Sequence, residues 1–134
     1  MIMKLMQENH LVENFRTMTK QEKELLLKDL CARLPYKQKV CYKIHDNSEE
    51  ITETLSGYLL EYFKTGTIAV VKPYLRPMNT MTEEEKEQTR DLWIDADIKT
   101  HATRLIDFYN KHHLDYQGLI PMGLALEAPE EMYK

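Results

Sequence analysis

The chain has 134 residues, of which 43% are hydrophobic and 30% charged, and its formal net charge is −4. These values are typical of a globular protein that buries its own core, and they exclude extensive disorder between the termini. Residues 82–134 hold 12 acidic and 6 basic side chains, and no segment carries the basic stripe that nucleic-acid binders use against phosphates. Non-specific nucleic-acid binding is therefore disfavoured.

The sequence has no apolar run long enough to cross a membrane. Its first residues lack the apolar segment and cleavage site of a signal peptide. Two cysteines, Cys31 and Cys41, are too few for a disulfide framework. We therefore expect a cytoplasmic protein with reduced thiols and no membrane partner.

The first predicted element is a helix over residues 19–34, preceded by a weakly patterned N-terminal extension, residues 1–18. Thr19 and Glu22 form the pattern of a capping box, and Pro35 ends the helix. The apolar positions that recur at helical spacing are Leu26, Leu27, Leu30, Cys31 and Leu34. This periodicity predicts that the thiol of Cys31 is buried and inert.

The middle of the chain has the period of strands. Residues 40–45 alternate between apolar and polar side chains, which predicts a half-buried strand with Cys41 on its exposed side. Residues 51–63 are rich in β-branched and aromatic side chains and are predicted as one long strand, bent at Gly57. A turn and a further strand over residues 67–71 follow.

Two prolines, Pro73 and Pro77, flank a short predicted edge strand at Tyr74 and Leu75. This order of elements predicts a small antiparallel barrel of the SH3-like or Sm-like kind, which with the helix before it makes up residues 19–78. The predicted fold class is α+β, with helices at the C-terminal end packed on the barrel.

The C-terminal segment, residues 79–134, is predicted to be helical and to form one compact unit with the barrel. Thr82 and Glu85 repeat the capping-box pattern and start a helix that runs to about Trp93. A further helix is predicted over residues 96–112. Asp115 is then placed to cap a last helical turn, and an apolar strip at residues 123–126 requires a surface to dock on.

Three blocks of the sequence carry a resemblance to a known group: residues 18–36, residues 71–85, and residues 107–120 followed by residues 123–129. In these blocks the chain resembles an uncharacterised family of small proteins from phages, prophages and other mobile elements of gut bacteria. The resemblance implies a bacterial host cell and no assigned activity. Residues 37–70 match least, so the resemblance implies that individual function lies there.

The barrel region is dense in aromatic side chains with lysines nearby. The candidate binding residues are Tyr36, Tyr42, Tyr58, Tyr62, Tyr74 and Lys43. Aromatic rings beside cations can stack on a nucleotide base or dock a protein. Alternating aromatics also simply fill a small barrel, and both interpretations stay open.

No catalytic site, cofactor or metal site is predicted. His101 and His112 are too far apart along one helix to share an ion, and no glycine-rich phosphate loop is present. We therefore expect a non-enzymatic accessory protein that binds a macromolecule, through a protein partner or self-association. The alternative is a small-ligand protein that holds a nucleotide in the aromatic region.

Overall fold

The computed structural model describes residues 18–45, 48–94 and 98–134. The predicted N-terminal extension, apart from Met18, lies outside the described residues. The chain divides into two compact units, and the division falls between Pro73 and Tyr74. The fold class is α+β, as predicted, with four helices and four strands among the described residues.

Helix α1, Lys20–Arg33, opens the first unit with the predicted capping box. The Thr19 backbone N–H donates to Glu22 Oε1 at 2.9 Å, and the Glu22 N–H donates to Thr19 Oγ1 at 3.1 Å. These bonds satisfy two donors that the first helical turn leaves without partners. The capping residues therefore fix where α1 begins.

The buried face of α1 differs from the predicted one. It contains an ion pair at 2.8 Å between Asp29 and Arg33, whose side chains are fully buried. Positions 26, 29, 30 and 33 form one stripe at helical spacing, which turns the adjacent Cys31 to solvent. The prediction of a buried Cys31 is therefore wrong.

The predicted long strand over residues 51–63 is also wrong, because a helix occupies its second half. Strand β1, Lys39–Lys43, is followed by β2, Ile51–Thr54, and then by helix α2, Gly57–Thr65. The Ser56 hydroxyl caps α2 by accepting the Leu59 N–H at 3.2 Å. Gly57 is thus the first helical residue, and neither a bulge nor a bend.

Strand β3, Val70–Leu75, completes the sheet of the first unit. β1 lies between β2 and β3 and pairs antiparallel with both. Cys41 is fully buried, because both faces of this central strand are covered. The prediction that Cys41 faces solvent is therefore wrong as well.

A fourth strand, β4, Leu126–Glu127, pairs in parallel with the end of β3 in the second unit. The strand order β2-β1-β3-β4 describes an open mixed sheet in the part of the chain that the structure covers. The predicted closed SH3-like or Sm-like barrel is therefore not confirmed. Tyr74 and Leu75 belong to β3 and do not form a separate edge strand.

The second unit contains helices α3, Glu83–Ile94, and α4, Ile98–Lys111. The predicted capping box at α3 is confirmed: the Thr82 N–H donates to Glu85 Oε1 at 2.8 Å, and the Glu85 N–H donates to Thr82 Oγ1 at 3.1 Å. Asp115 caps a turn, as its carboxylate accepts the N–H groups of Leu119 and Ile120.

The predicted apolar strip at residues 123–126 is docked, since Leu124 and Ala125 are buried. On the other side of the β3 end, Arg76 forms a parallel bridge with Leu114. The end of β3 is therefore held from both edges within the second unit. Among the described residues, no helix has the length and apolar character that crossing a membrane requires.

Candidate functional site

Two tyrosines of α2 form the most exposed aromatic pair among the described residues of the first unit. Tyr58 is 78% exposed and Tyr62 is 47% exposed. Their spacing of four residues places them on one face of the helix. Leu59 and Phe63 lie on another face of α2, where they are buried and anchor the helix. We call Tyr58 and Tyr62 the tyrosine face.

The charge beside the tyrosine face is negative. Glu61 is exposed and lies three residues after Tyr58, so it borders the same face. Lys64 is also exposed. Because it lies two residues after Tyr62 on a helix, its side chain points away from the two rings. An acidic neighbour disfavours a phosphate group at this position more than it disfavours a protein surface.

The remaining predicted site residues have other environments. Tyr42 is buried in β1, and burial together with Glu53 raises the pKa of its hydroxyl. Tyr36 and Lys43 are half-buried. Tyr74 belongs to the second unit, where its backbone carbonyl accepts the Tyr133 hydroxyl at 2.7 Å. Of the predicted set, only Tyr58 and Tyr62 combine high exposure with a shared surface.

A buried amine lies in the sheet of the first unit. Lys72 is 1% exposed and stands directly opposite Cys41 in the antiparallel register of β1 and β3. Cys41 Sγ lies 3.9 Å from Glu50 Oε2. Burial lowers the pKa of Lys72 to about 8, although the nearby Cys41 and Glu50 act in the opposite direction.

The second unit contains a cleft of about 520 Å³. Two stretches of chain form it: residues 76–85, which lead into and begin α3, and residues 127–134, which start at the last residue of β4. Its volume falls in the range of small-molecule ligand sites. The apolar part of the lining comes from Pro77, Ala128, Pro129 and the ring of Tyr133.

One wall of this cleft is a clamp between Arg76 and Glu85. The guanidinium donates from NH1 to Glu85 Oε2 at 2.9 Å and from NH2 to Glu85 Oε1 at 2.8 Å. The same two nitrogens also donate to the carbonyls of His112 and Thr80. Such two-pronged pairs fix the orientation of both side chains.

The clamp controls the ionisation of its members. Hydrogen bonds from Arg76 hold the pKa of the Glu85 carboxyl at about 2, against the effect of burial. His112 Nδ1 lies 3.1 Å from Glu85 Oε2, yet burial keeps the pKa of this histidine below its usual value. The wall is therefore a fixed, locally neutralised ion pair at neutral pH.

The opposite wall is fixed through Tyr133. Its ring stacks on His113, with centroids 3.7 Å apart and planes 10° apart, and its hydroxyl donates to the Tyr74 carbonyl. His113 adopts a left-handed backbone conformation with φ 61°, which turns the chain after α4. Both walls of the cleft are thus held in place before any ligand arrives.

The described residues contain no cluster of three or more metal-ligating side chains. No protein family, curated protein or solved structure matches the chain. The fold and sites define an α+β protein that presents an exposed aromatic face in one unit and a pre-formed cleft in the other. Sequence reasoning missed the cleft, since no pattern links residues 76–85 to residues 127–134.

Proposed function

We propose that this chain is a non-enzymatic accessory protein of a phage or other mobile element, and that it acts by binding a protein partner through the tyrosine face. The observation that carries the proposal is the exposure of Tyr58 and Tyr62 on one face of α2. Tyrosine is enriched among the residues that dominate binding energy at protein interfaces, because it combines a large apolar ring with a polar tip.

The support of α2 favours a role in binding. Phe63, on the buried side, is fully buried, and the amine of Lys23 on α1 lies 5.1 Å from its ring centre. Ser56 and Gly66 cap the two ends of the helix. The tyrosines therefore stand on a fixed scaffold, so partner binding orders only their side chains and loses little conformational freedom.

The resemblance to proteins of mobile elements supplies the proposed setting, a bacterial host cell. Residues 37–70, where that resemblance is weakest, include the tyrosine face. We assign the contacts that are particular to this chain to that face. The proposed partner is thus a protein of the host or of the element itself, or a second copy of this chain.

A crosslinking experiment in host cells tests the proposal. Tyr62 is replaced by the photoreactive residue p-benzoylphenylalanine, and the same residue is placed at exposed Glu24 of α1 as the control. We expect a discrete crosslinked species from position 62 that the control lacks. Adding Tyr58→Ala to the photoreactive chain should reduce its yield. Equal or absent crosslinking at the two positions would contradict the proposal.

The nucleotide alternative has its own test, a thermal-shift titration with common nucleotides. A site on the tyrosine face predicts a melting temperature that rises with the logarithm of nucleotide concentration. The rise should vanish in the variant Tyr58→Ala/Tyr62→Ala. With a protein partner as the ligand, we expect no such rise for any nucleotide, and a rise that the double variant removes would favour the alternative.

A further inference from the structure

We propose that the cleft of the second unit is a separate binding site, which takes an extended segment of a partner protein carrying a lysine or arginine beside a small apolar residue. This site shares no residue with the tyrosine face, and the inference does not depend on the function proposed above. It rests on the rigidity, the polarity and the charge of the cleft.

The interior of the cleft selects apolar groups. Its strongest polar groups already have partners: NH1 and NH2 of Arg76 each donate to two acceptors, and the Tyr133 hydroxyl donates to a backbone carbonyl. An anion that enters the cleft would have to break the bidentate pair with Glu85 to reach this guanidinium. Phosphate and carboxylate ligands are therefore disfavoured.

The mouth of the cleft selects a cation. Glu127, Glu130 and Lys134 line it, and the Lys134 amine lies 3.5 Å from the Glu130 carboxylate. The same amine lies 4.0 Å from Glu131, which is outside the lining. These pairs are solvent-exposed and long, so they contribute little and exchange readily. Two lining carboxylates, Glu127 and Glu130, against the one lining amine leave the mouth net negative, and Glu131 beside the cleft adds to this charge. A ligand lysine or arginine can take the place of Lys134 between the glutamates.

The lining favours a peptide segment over a free amine. Glu127 and Glu130 flank the apolar lining residues Ala128 and Pro129 on one stretch of chain, so an occupant meets carboxylates and apolar groups side by side. A peptide segment can present a cation and an apolar side chain at that spacing. One backbone then supplies both the apolar side chain for the interior and the cation for the mouth.

The test is a selection of displayed random heptapeptides on the full wild-type chain, followed by titration of the enriched peptide into the isotope-labelled chain by NMR. We expect enrichment of sequences with lysine or arginine next to proline, alanine or valine. The amide signals of Ala128 and Tyr133 should shift on titration. Affinity should fall as salt is raised, because the charged mouth is exposed.

The variant Glu127→Lys/Glu130→Lys should weaken binding of the enriched peptide about ten-fold or more, since it removes two attractive carboxylates and puts repulsive amines in their place. The control Glu84→Lys/Glu87→Lys changes the net charge equally at exposed positions of α3 outside the cleft. It should alter the affinity by less than about two-fold.

Three results would overturn the inference: no enriched motif, an acidic or purely apolar motif, or signal shifts confined to residues outside the cleft. Equal weakening by the two charge-reversal variants would also overturn it, because the attraction would then come from overall charge. The inference is also overturned if the peptide binds both variants as tightly as it binds the wild-type chain. The tyrosine-face experiments change other residues, so a negative result for the cleft does not decide whether the tyrosine face binds a partner.

Discussion

Lys72 places a primary amine in the interior of the first unit, opposite Cys41 on the neighbouring strand. The sequence around it, a run of valines before a proline, is that of a buried strand, and a lysine there is costly while it is charged. Its pKa of about 8 means that the charged form persists at neutral pH under an energetic penalty. Part of the stability of this unit is therefore set by one proton.

Replacing this lysine by methionine should stabilise the protein at neutral pH by up to about 3 kcal/mol, the free energy that a pKa shift of this size implies. Between about pH 8 and the ordinary value of 10.5, the unfolded chain keeps the Lys72 proton and the folded chain does not. The wild-type free energy of unfolding thus gains from Lys72 as pH rises through this window. The advantage of Lys72→Met should shrink over the same window.

Urea unfolding at a series of pH values checks this, and Lys28→Met at an exposed position of α1 is the control. The control should show a difference from wild type that is small and constant with pH. If Lys72→Met lowers the free energy of unfolding at every pH, the prediction is wrong, because the contacts of the amine then stabilise the fold by more than its burial destabilises it.

At the scale of the element, α2 is where sequence and structure disagree most. Its residues Tyr58, Tyr62 and Phe63 favour strands by composition, and this preference supported the predicted long strand. The Ser56 cap and the spacing of Leu59 and Phe63 favour a helix, and tertiary burial of that pair decides between them. A capping residue followed by apolar positions four residues apart indicates a helix, and here the strand-favouring composition outweighed that pattern in the prediction.

Two glycines bracket α2 and give opposite predictions for the same substitution. At Gly57, an added Cβ meets nothing within 4 Å, so Gly57→Ala should stabilise the first turn by about 0.5–1 kcal/mol. At Gly66, φ is 85°, so Gly66→Ala should destabilise the helix end by about 1 kcal/mol or more. Thermal unfolding of the two variants measures both effects. Destabilisation by Gly57→Ala would instead fit the bent strand expected from sequence.

Other elements followed from local patterns alone. Both capping boxes form, at Thr19 and Thr82, because the bonds involved join residues only three positions apart. The open sheet was not predictable in the same way, since β3 pairs with β4 some fifty residues later. The cleft depends on this distant pairing, and the tyrosine face does not. That is why the sequence indicated the tyrosine face and missed the cleft.

At the scale of the whole molecule, charge is the property that limits partners. The acidic excess lies in residues 82–134, and the first part of the chain has no compensating basic stripe. We expect no association with a short DNA duplex at low salt up to roughly 100 µM protein, the weak end of non-specific binding. Fluorescence anisotropy of a labelled duplex measures this. A salt-sensitive rise in anisotropy would contradict the prediction.

The two cysteines, one exposed on α1 and one buried in β1, make the folded chain a reporter of its own opening. A thiol-reactive reagent should add once to the native protein, at Cys31, and a second time only when the sheet around Cys41 separates. Mass spectrometry then distinguishes the two additions. The rate of the second addition therefore measures the local unfolding of β1 without an added label. The same chemistry gives a single dye position on α1 for following a binding partner in the tests above.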